Sequence, residues 1–165
     1  MLHIKNFLFV DLGSATSFAI LAGTTITSTG AKVATGDVGL FPGSEITGFP
    51  PATVVQGQTF IANTESSAAH SGLATAYGYA AGLPSTVSLA GDLGGQTLAS
   101  GVYKSTSGLS ITGILRLTGN ATAVFIFQIT SALVVASGGS VILVGGALPC
   151  NVFWQVSDRA IGRTQ

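Results

Sequence analysis

Between Arg116 and Asp158 the chain contains no Asp, Glu, Lys or Arg. A run of that length can be a membrane span, a buried core segment or a set of strands with uncharged surfaces. It is long enough to span, since a membrane helix needs about 20 mostly apolar residues. Its composition points elsewhere. Thr122 to Ala147, "TAVFIFQITSALVVASGGSVILVGGA", is dominated by Val, Ile, Phe and Thr, which suit strands. Ser137-Gly138-Gly139-Ser140 interrupts it and Gly145-Gly146 closes it, as turns do. Ala123, Phe125, Phe127 and Ile129 share one parity, with Gln128 and Thr130 on the other. That alternation predicts two or three short strands, each with one buried face.

Charge is scarce everywhere. Charged residues are 7% of the 165, and six basic side chains balance six acidic ones. Ordinary soluble domains carry about 25%. No basic patch is available for nucleic acid or an anionic membrane surface. The 47% hydrophobic content excludes disorder, and the length suffices for one domain, residues 1–165, with a real core. The surface must therefore be built from Ser, Thr, Gly, Ala and some apolar side chains. At the N-terminus, Lys5 followed by Phe7-Leu8-Phe9-Val10 hints at a secretory leader. The apolar run falls short of the usual 7–15 residues, so it is read as a first strand, with no complete signal peptide visible in the sequence.

Along the chain, "FAILAGTTITST" places Phe18, Ile20, Ala22 and Ile26 on one parity. Thr25, Thr27 and Thr29 take the other, the pattern of a strand with threonines facing out. Thr35 to Pro51 is rich in turns. Gln58 to Leu83 is rich in Ala. Ile61, Ala68, Leu73, Ala76, Tyr77 and Ala80 recur at helical spacing, and Gly82 and Pro84 supply the stop, so one helix is expected over 58–83. Strand signals then return near Val87, Leu98, Ile111, Phe125, Val134, Ile142 and Phe153. In "LSITGILRLTG", Leu109, Ile111, Leu115 and Leu117 face one way, and Ser110, Thr112, Ile114, Arg116 and Thr118 the other. Many short strands joined by Gly/Ser/Thr turns indicate a sandwich, a barrel or a solenoid.

Motifs for catalysis are missing. The carboxylates Asp11, Asp37, Glu45, Glu65, Asp92 and Asp158 lie at least eight residues apart. Asp37 and Asp92, next to glycines, read as turn residues bonding their own backbone. Glu65 reads as a solvent-facing helix residue. His3 and His70 have no ligand at metal spacing, so neither a metal site nor a cofactor is expected. His70 reads as a half-buried helix residue and Cys150 as a packed thiol. No nucleophile elbow or P-loop occurs. The residues thus suggest a protein that is not an enzyme. What remains is the threonine row. Strand residues i and i+2 stand about 6.6–6.8 Å apart and neighbouring strands about 4.7–4.9 Å. Threonine rotamers are restricted at χ1. A stack of such strands would hold methyls and hydroxyls on a grid able to order water into a lattice.

The segments "VDLGSATSFAILAGTTITSTG", "TGDVGLFPGSEITGFPP", "AAHSGLATAYGYAAGLPS", "DLGGQTLASGVYKSTSGLSITGILRLTG", "AVFIFQI" and "CNVFWQV", in this order, resemble the ice-binding protein family with a discontinuous β-solenoid fold. The resemblance covers about Val10 to Val156. It implies a mainly β chain: a right-handed β-solenoid of triangular section with one long helix alongside. It also implies secretion and adsorption to an ice crystal surface and its ordered water. Growth and recrystallisation would be slowed and thermal hysteresis produced, with no small-molecule substrate, nucleic acid or membrane as partner. Two departures stand out. Some members carry Thr, then Ala or Gly, any residue, then Thr or Asn on the ice face; Thr118-Gly119-Asn120-Ala121 fails only at its last place. The family pattern also continues with further Gly/Ser/Thr-rich strands after Val156. Here "SDRAIGRTQ" follows, so the C-terminal coils are expected to be missing and the strand edges they would cover exposed. The expected ice-binding residues are Thr25, Thr27, Thr29, Ser110 and Thr112. The rival reading is an adhesive or structural solenoid module of a cell-surface protein. A polysaccharide-acting solenoid enzyme ranks third, since acid and base groups are sparse.

Overall fold

The computed structural model describes residues 9–162. The expected first strand falls mostly before them, as does His3; residues 9–12 form no strand. The chain divides into two compact units. One is Asp11–Gly78. The other, among the described residues, is 79–162 with Phe9 and Val10.

In the first unit the strands are β1 (Phe18–Ala22), β2 (Thr25–Thr27), β3 (Val33–Thr35), β4 (Asp37–Leu40), β5 (Glu45–Thr47), β6 (Thr53–Val55) and β7 (Thr59–Ile61). They form three parallel sheets, β1-β4-β7, β2-β5 and β3-β6. Pairing every third strand in parallel means that one three-sided coil separates partners, so the other two sides serve as the crossover that parallel pairing demands. Twenty residues make that coil, from Thr25 to Glu45 and from Val33 to Thr53. Ile26, Ala34, Val38 and Leu40 fill its interior.

The parity expected for β1 does not survive. The register shifts between Phe18 and Ile20, so Phe18 pairs with Asp37 while Ile20 pairs with Val38. A shift of this kind turns the following residues over. Ile20 therefore shares the face of buried Val38, whereas Phe18 lies with Leu21 on the opposite face, over Gly39. A Cβ on Gly39 would stand 2.6 Å from both Leu21 Cδ1 and Phe18 Cε1, so a larger residue there would force both side chains to shift. Ile20 also stays 37% exposed, because β1 is the edge of its sheet.

Helix α1 spans Thr64–Gly82. It starts later than the expected 58 because Thr59–Ile61 is strand and Asn63 supplies the cap. Asn63 Oδ1 accepts the Ser66 N–H at 3.0 Å, and Ser66 Oγ accepts the Asn63 N–H at 3.2 Å. This reciprocal pair satisfies two backbone donors at the helix start. The buried line is Ser66, Ala69, Ala76 and Ala80. Ala68 and Tyr77, expected on it, are exposed, and Ile61 belongs to β7.

The second unit repeats the three-sided plan with β8 (Val87–Ser88), β9 (Gly91–Asp92), β10 (Thr97–Ala99), β11 (Gly101–Ser105), β12 (Leu109–Ile111), β13 (Ile114–Thr118), β14 (Phe125–Ile129), β15 (Leu133–Val135), β16 (Ser140–Val144), β17 (Val152–Val156) and β18 (Ala160–Gly162). Its parallel sheets are β17-β14-β11-β8, β18-β15-β12-β9 and β10-β13-β16. The chain is thus mainly β, a β-solenoid with one helix. In-register stacking places like side chains over like. Leu117 pairs with Leu98 and Leu143, and Leu109 with Leu133. The Phe127 ring lies between Tyr103 and Trp154, with centroids 5.2 and 4.0 Å away.

The charge-free run is β-structure. Thr122 to Ala147 holds β14, β15 and β16, with the Ser137–Ser140 turn between the last two. Among the described residues no helix is long and apolar enough to cross a membrane. Ala123, Phe125, Phe127 and Ile129 lie in the core, as their parity predicts. The other face of β14 differs from expectation: Ile126 and Gln128 are buried too. Gln128 Nε2 donates to the carbonyls of Ala80 and Leu83, both at 2.8 Å, so the end of α1 covers this face.

Candidate functional site

Each unit has one sheet occupied on its outside. In the first, Phe18 and Phe60 carry the outer face of β1-β4-β7, with ring centroids 5.7 Å apart, and share a cleft with Glu65 and Ala68 of α1. In the second, Gln128 of β14 is engaged by the helix end. The remaining sheets turn their outward side chains to solvent.

On β2-β5 the outward residues are Thr25, Thr27, Glu45 and Thr47, all exposed, while Ile26 is buried and Ile46 half-buried. Register pairs Thr27 with Thr47, and Thr47 Oγ1 donates to Thr27 Oγ1 at 3.2 Å. The threonine row therefore runs across strands as well as along one. Thr29 is exposed but lies past the end of β2, so it leaves the strand grid. Glu45, opposite Thr25, is a charge on this sheet that reading one strand at a time did not reveal.

Ser110 and Thr112 lie in the second unit, on a different sheet from the threonine row. Ser110 is outward and half-buried on β12, in register with Asp92, Val134 and, through β15, Ile161. Thr112 follows β12 and is exposed. The structure binds this pair to Asp92. Asp92 Oδ1 accepts the Gly94 N–H and the Thr112 N–H, each at 3.0 Å, and Oδ2 accepts the Thr112 hydroxyl. These donors hold the carboxyl at about 2, the Thr112 hydroxyl contributing most and the Ser110 hydroxyl also adding. Asp37 has a related role. Its Oδ1 accepts the Gln58 N–H at 2.9 Å, and that backbone donor, with the Ser17 hydroxyl, lowers its pKa. Asp92 thus bonds its own turn, as expected, and the next coil as well, whereas Asp37, expected to bond its own turn, instead accepts from Gln58 one coil on. The shared string Gly-Asp-(Val or Leu)-Gly, at 36–39 and 91–94, was the available signal.

Four further outward residues escaped the sequence reading: Val33, Thr35, Thr53 and Val55 on β3-β6, all exposed and uncharged. Their strands are three residues long, too short for alternation to show. On β10-β13-β16 the outward row includes Arg116.

The other titratable groups stand apart from these surfaces. Glu65 is exposed, as expected. His70 is half-buried, with its ring 6.5 Å from Phe41 and Nε2 lacking a hydrogen-bond partner. Cys150 is exposed rather than packed, because it sits on the short 3-10 turn Pro149–Asn151 instead of a strand entry. Among the described residues no three His, Cys, Asp or Glu converge.

Residues 20–165 match the family model described as ice-binding-like. An ice-binding protein of Nostoc sp. (strain HG1) is 44% identical over 152 residues, covering 90% of this chain and 56% of that protein. One of Leucosporidium sp. (strain AY30) is 37% identical, covering 92% and 66%. The chain thus spans between half and two thirds of the length of these relatives. The crystal structure of an ice-binding protein from an Antarctic biological consortium superposes with a TM-score of 0.88 at 42% identity, covering 94% of this chain and 72% of that one.

Proposed function

The chain belongs to the ice-binding-like family, and from that premise we propose that it adsorbs to ice through outward solenoid sheets on which uncharged side chains predominate and slows crystal growth and recrystallisation. The observation that carries this reading is the β2-β5 surface, where Thr25, Thr27 and Thr47 stand exposed on two registered strands. Ser110 and Thr112 are candidates on the second unit in their own right, and Thr29 borders the row. Threonine suits the task physically. Its methyl sheds water cheaply and its hydroxyl still hydrogen-bonds, whereas an ionised group keeps its hydration at large cost to removal. The grid spacing follows from strand geometry, about 6.6–6.8 Å along and 4.7–4.9 Å across.

The same reading makes the protein a non-enzyme acting outside the cell, with ice and its ordered water as partner and no nucleic acid, membrane or small substrate. Its carboxylates support that: Asp37 and Asp92 are committed to backbone donors of the next coil. The test is ice-affinity partition of the full chain. Enrichment in the frozen fraction is expected. If the protein stays in the liquid like an unrelated globular control, the adhesive-module reading replaces this one.

A further inference from the structure

We infer that Asp92 is a positioning residue that fixes the hydrogen-bond polarity of Thr112, turning its hydroxyl into an acceptor toward solvent; the functional part of this inference rests on the ice-adsorption reading. The argument starts from the inventory of donors. A threonine hydroxyl has one hydrogen and two lone pairs, and an ionised carboxylate only accepts. Thr112 Oγ1 donates to Asp92 Oδ2. Its single hydrogen is therefore committed inward, and its lone pairs are what the exposed side chain offers to water. The carboxylate also holds the Thr112 backbone N–H at 3.0 Å, so main chain and side chain are clamped by one group. Thr25, by contrast, stands in register with Glu45 on the neighbouring strand.

An ordered water layer is sensitive to this polarity. Each lattice water donates two hydrogens and accepts two, so a surface group of fixed polarity meets only waters that donate to it. Asp92 also answers how a carboxylate can sit in register with Ser110 on an otherwise uncharged row. Protein donors already occupy part of its hydration shell: Gly94 N–H, Thr112 N–H and the Thr112 hydroxyl.

Asp92→Asn isolates the effect. Both backbone donors go to Oδ1, which asparagine keeps. Only the atom in the place of Oδ2 changes, from an acceptor to an NH2 that donates to Thr112 Oγ1. The hydroxyl hydrogen is then released toward solvent and the polarity is reversed, with the turn left in place. Thr112→Val removes the hydroxyl and keeps the shape.

The experiment has two arms on the full chain. In the first, low-temperature NMR looks for the Thr112 hydroxyl proton, which a committed hydrogen bond protects from exchange. It is expected in the wild type and lost in Asp92→Asn; a Thr112 hydroxyl proton that exchanges too fast to see in the wild type overturns the inference whether or not the protein adsorbs to ice. In the second arm, ice partition is measured for the wild type, both single variants and the double variant. Asp92→Asn is expected to weaken adsorption by about threefold or more, the scale of one modest hydrogen bond. The loss in the double variant should fall well short of the sum of the two single losses, because Asp92 acts chiefly through Thr112. Losses that add independently, or no loss in Asp92→Asn, overturn it. A protected hydroxyl in a wild type that does not partition into ice leaves the polarity standing and sinks the ice reading alone.

Discussion

Gln128 donates its side-chain amide to the Ala80 carbonyl at 2.8 Å, from a strand position where alternation alone predicts solvent. The last carbonyls of a helix have no partner within it. Here a buried glutamine from β14 serves Ala80 and Leu83 together. Helix end and strand therefore fix one another.

Gln128→Leu keeps the volume and removes the donor. It leaves two carbonyls unsatisfied beside an apolar side chain, at a cost of about 1–3 kcal/mol. Chemical denaturation of the full chain checks this. An unchanged midpoint would show that the carbonyls do not depend on Gln128.

Phe127 is fully buried between Tyr103 and Trp154. Phe127→Ala should cost about 3–5 kcal/mol, since the stack cannot close over the gap on both sides. Trp154 fluorescence reports the loss of its stacking partner in the same sample. A loss below about 1 kcal/mol would mean that the stack is not packed as described.

How much of this was legible in the sequence depends on strand length and on what covers each face. The positions Val87, Leu98, Ile111, Phe125, Val134, Ile142 and Phe153 all fall in strands, because apolar β-forming residues between Gly/Ser turns are a local signal, reinforced by alternation in the five-residue strands β14, β16 and β17. β3, β6 and β9 have two or three residues and carry no period. Coverage is not local at all. Nothing near Gln128 says that a helix end 45 residues earlier will lie over it, and nothing near Phe18 announces the register shift that separates it from Ile20. The partners of Asp37 and Asp92 are hidden for the same reason: they lie 21 and 20 residues on, one coil away. Thr25 and Thr27 were legible as outward residues; Glu45 beside them appears only once the coil closes.

The carboxyl of Asp92 titrates at about 2 in the fold against 3.8 ordinarily. A lowered value stabilises the fold above the unfolded pKa and surrenders that stability as pH falls through the folded one. The window therefore runs from about pH 4 down to about pH 2. Denaturation midpoints of wild type and Asp92→Asn should differ by a constant amount above it and converge within it. Asp37 shifts in the same direction but is present in both proteins, so it cancels from the difference. A gap that stays constant to the bottom of the window would show that the Asp92 charge does not support the fold.

The threonine row gives the decisive functional test. Thr27 is exposed, ends β2 on the β2-β5 surface and accepts the Thr47 hydroxyl at 3.2 Å. Thr27→Tyr puts a ring above the grid, where it props the sheet away from a flat lattice. No buried atom moves, so the melting temperature should change little, within the range of about ±0.5 kcal/mol usual for surface substitutions. Ice partition should be lost nonetheless. Two controls bracket the result. His70→Ala, on the helix, should leave adsorption intact. Glu45→Ala should leave it intact or improve it, because the charge opposite Thr25 gives the lattice nothing and must be desolvated. If Thr27→Tyr adsorbs fully and Thr53→Tyr does not, the face is β3-β6, where Val33, Thr35, Thr53 and Val55 form the uncharged alternative. Loss in both variants would extend the ice surface over two sheets. No loss in either, in a protein that still partitions into ice, would move the site to the second unit and leave Ser110 and Thr112 as its residues.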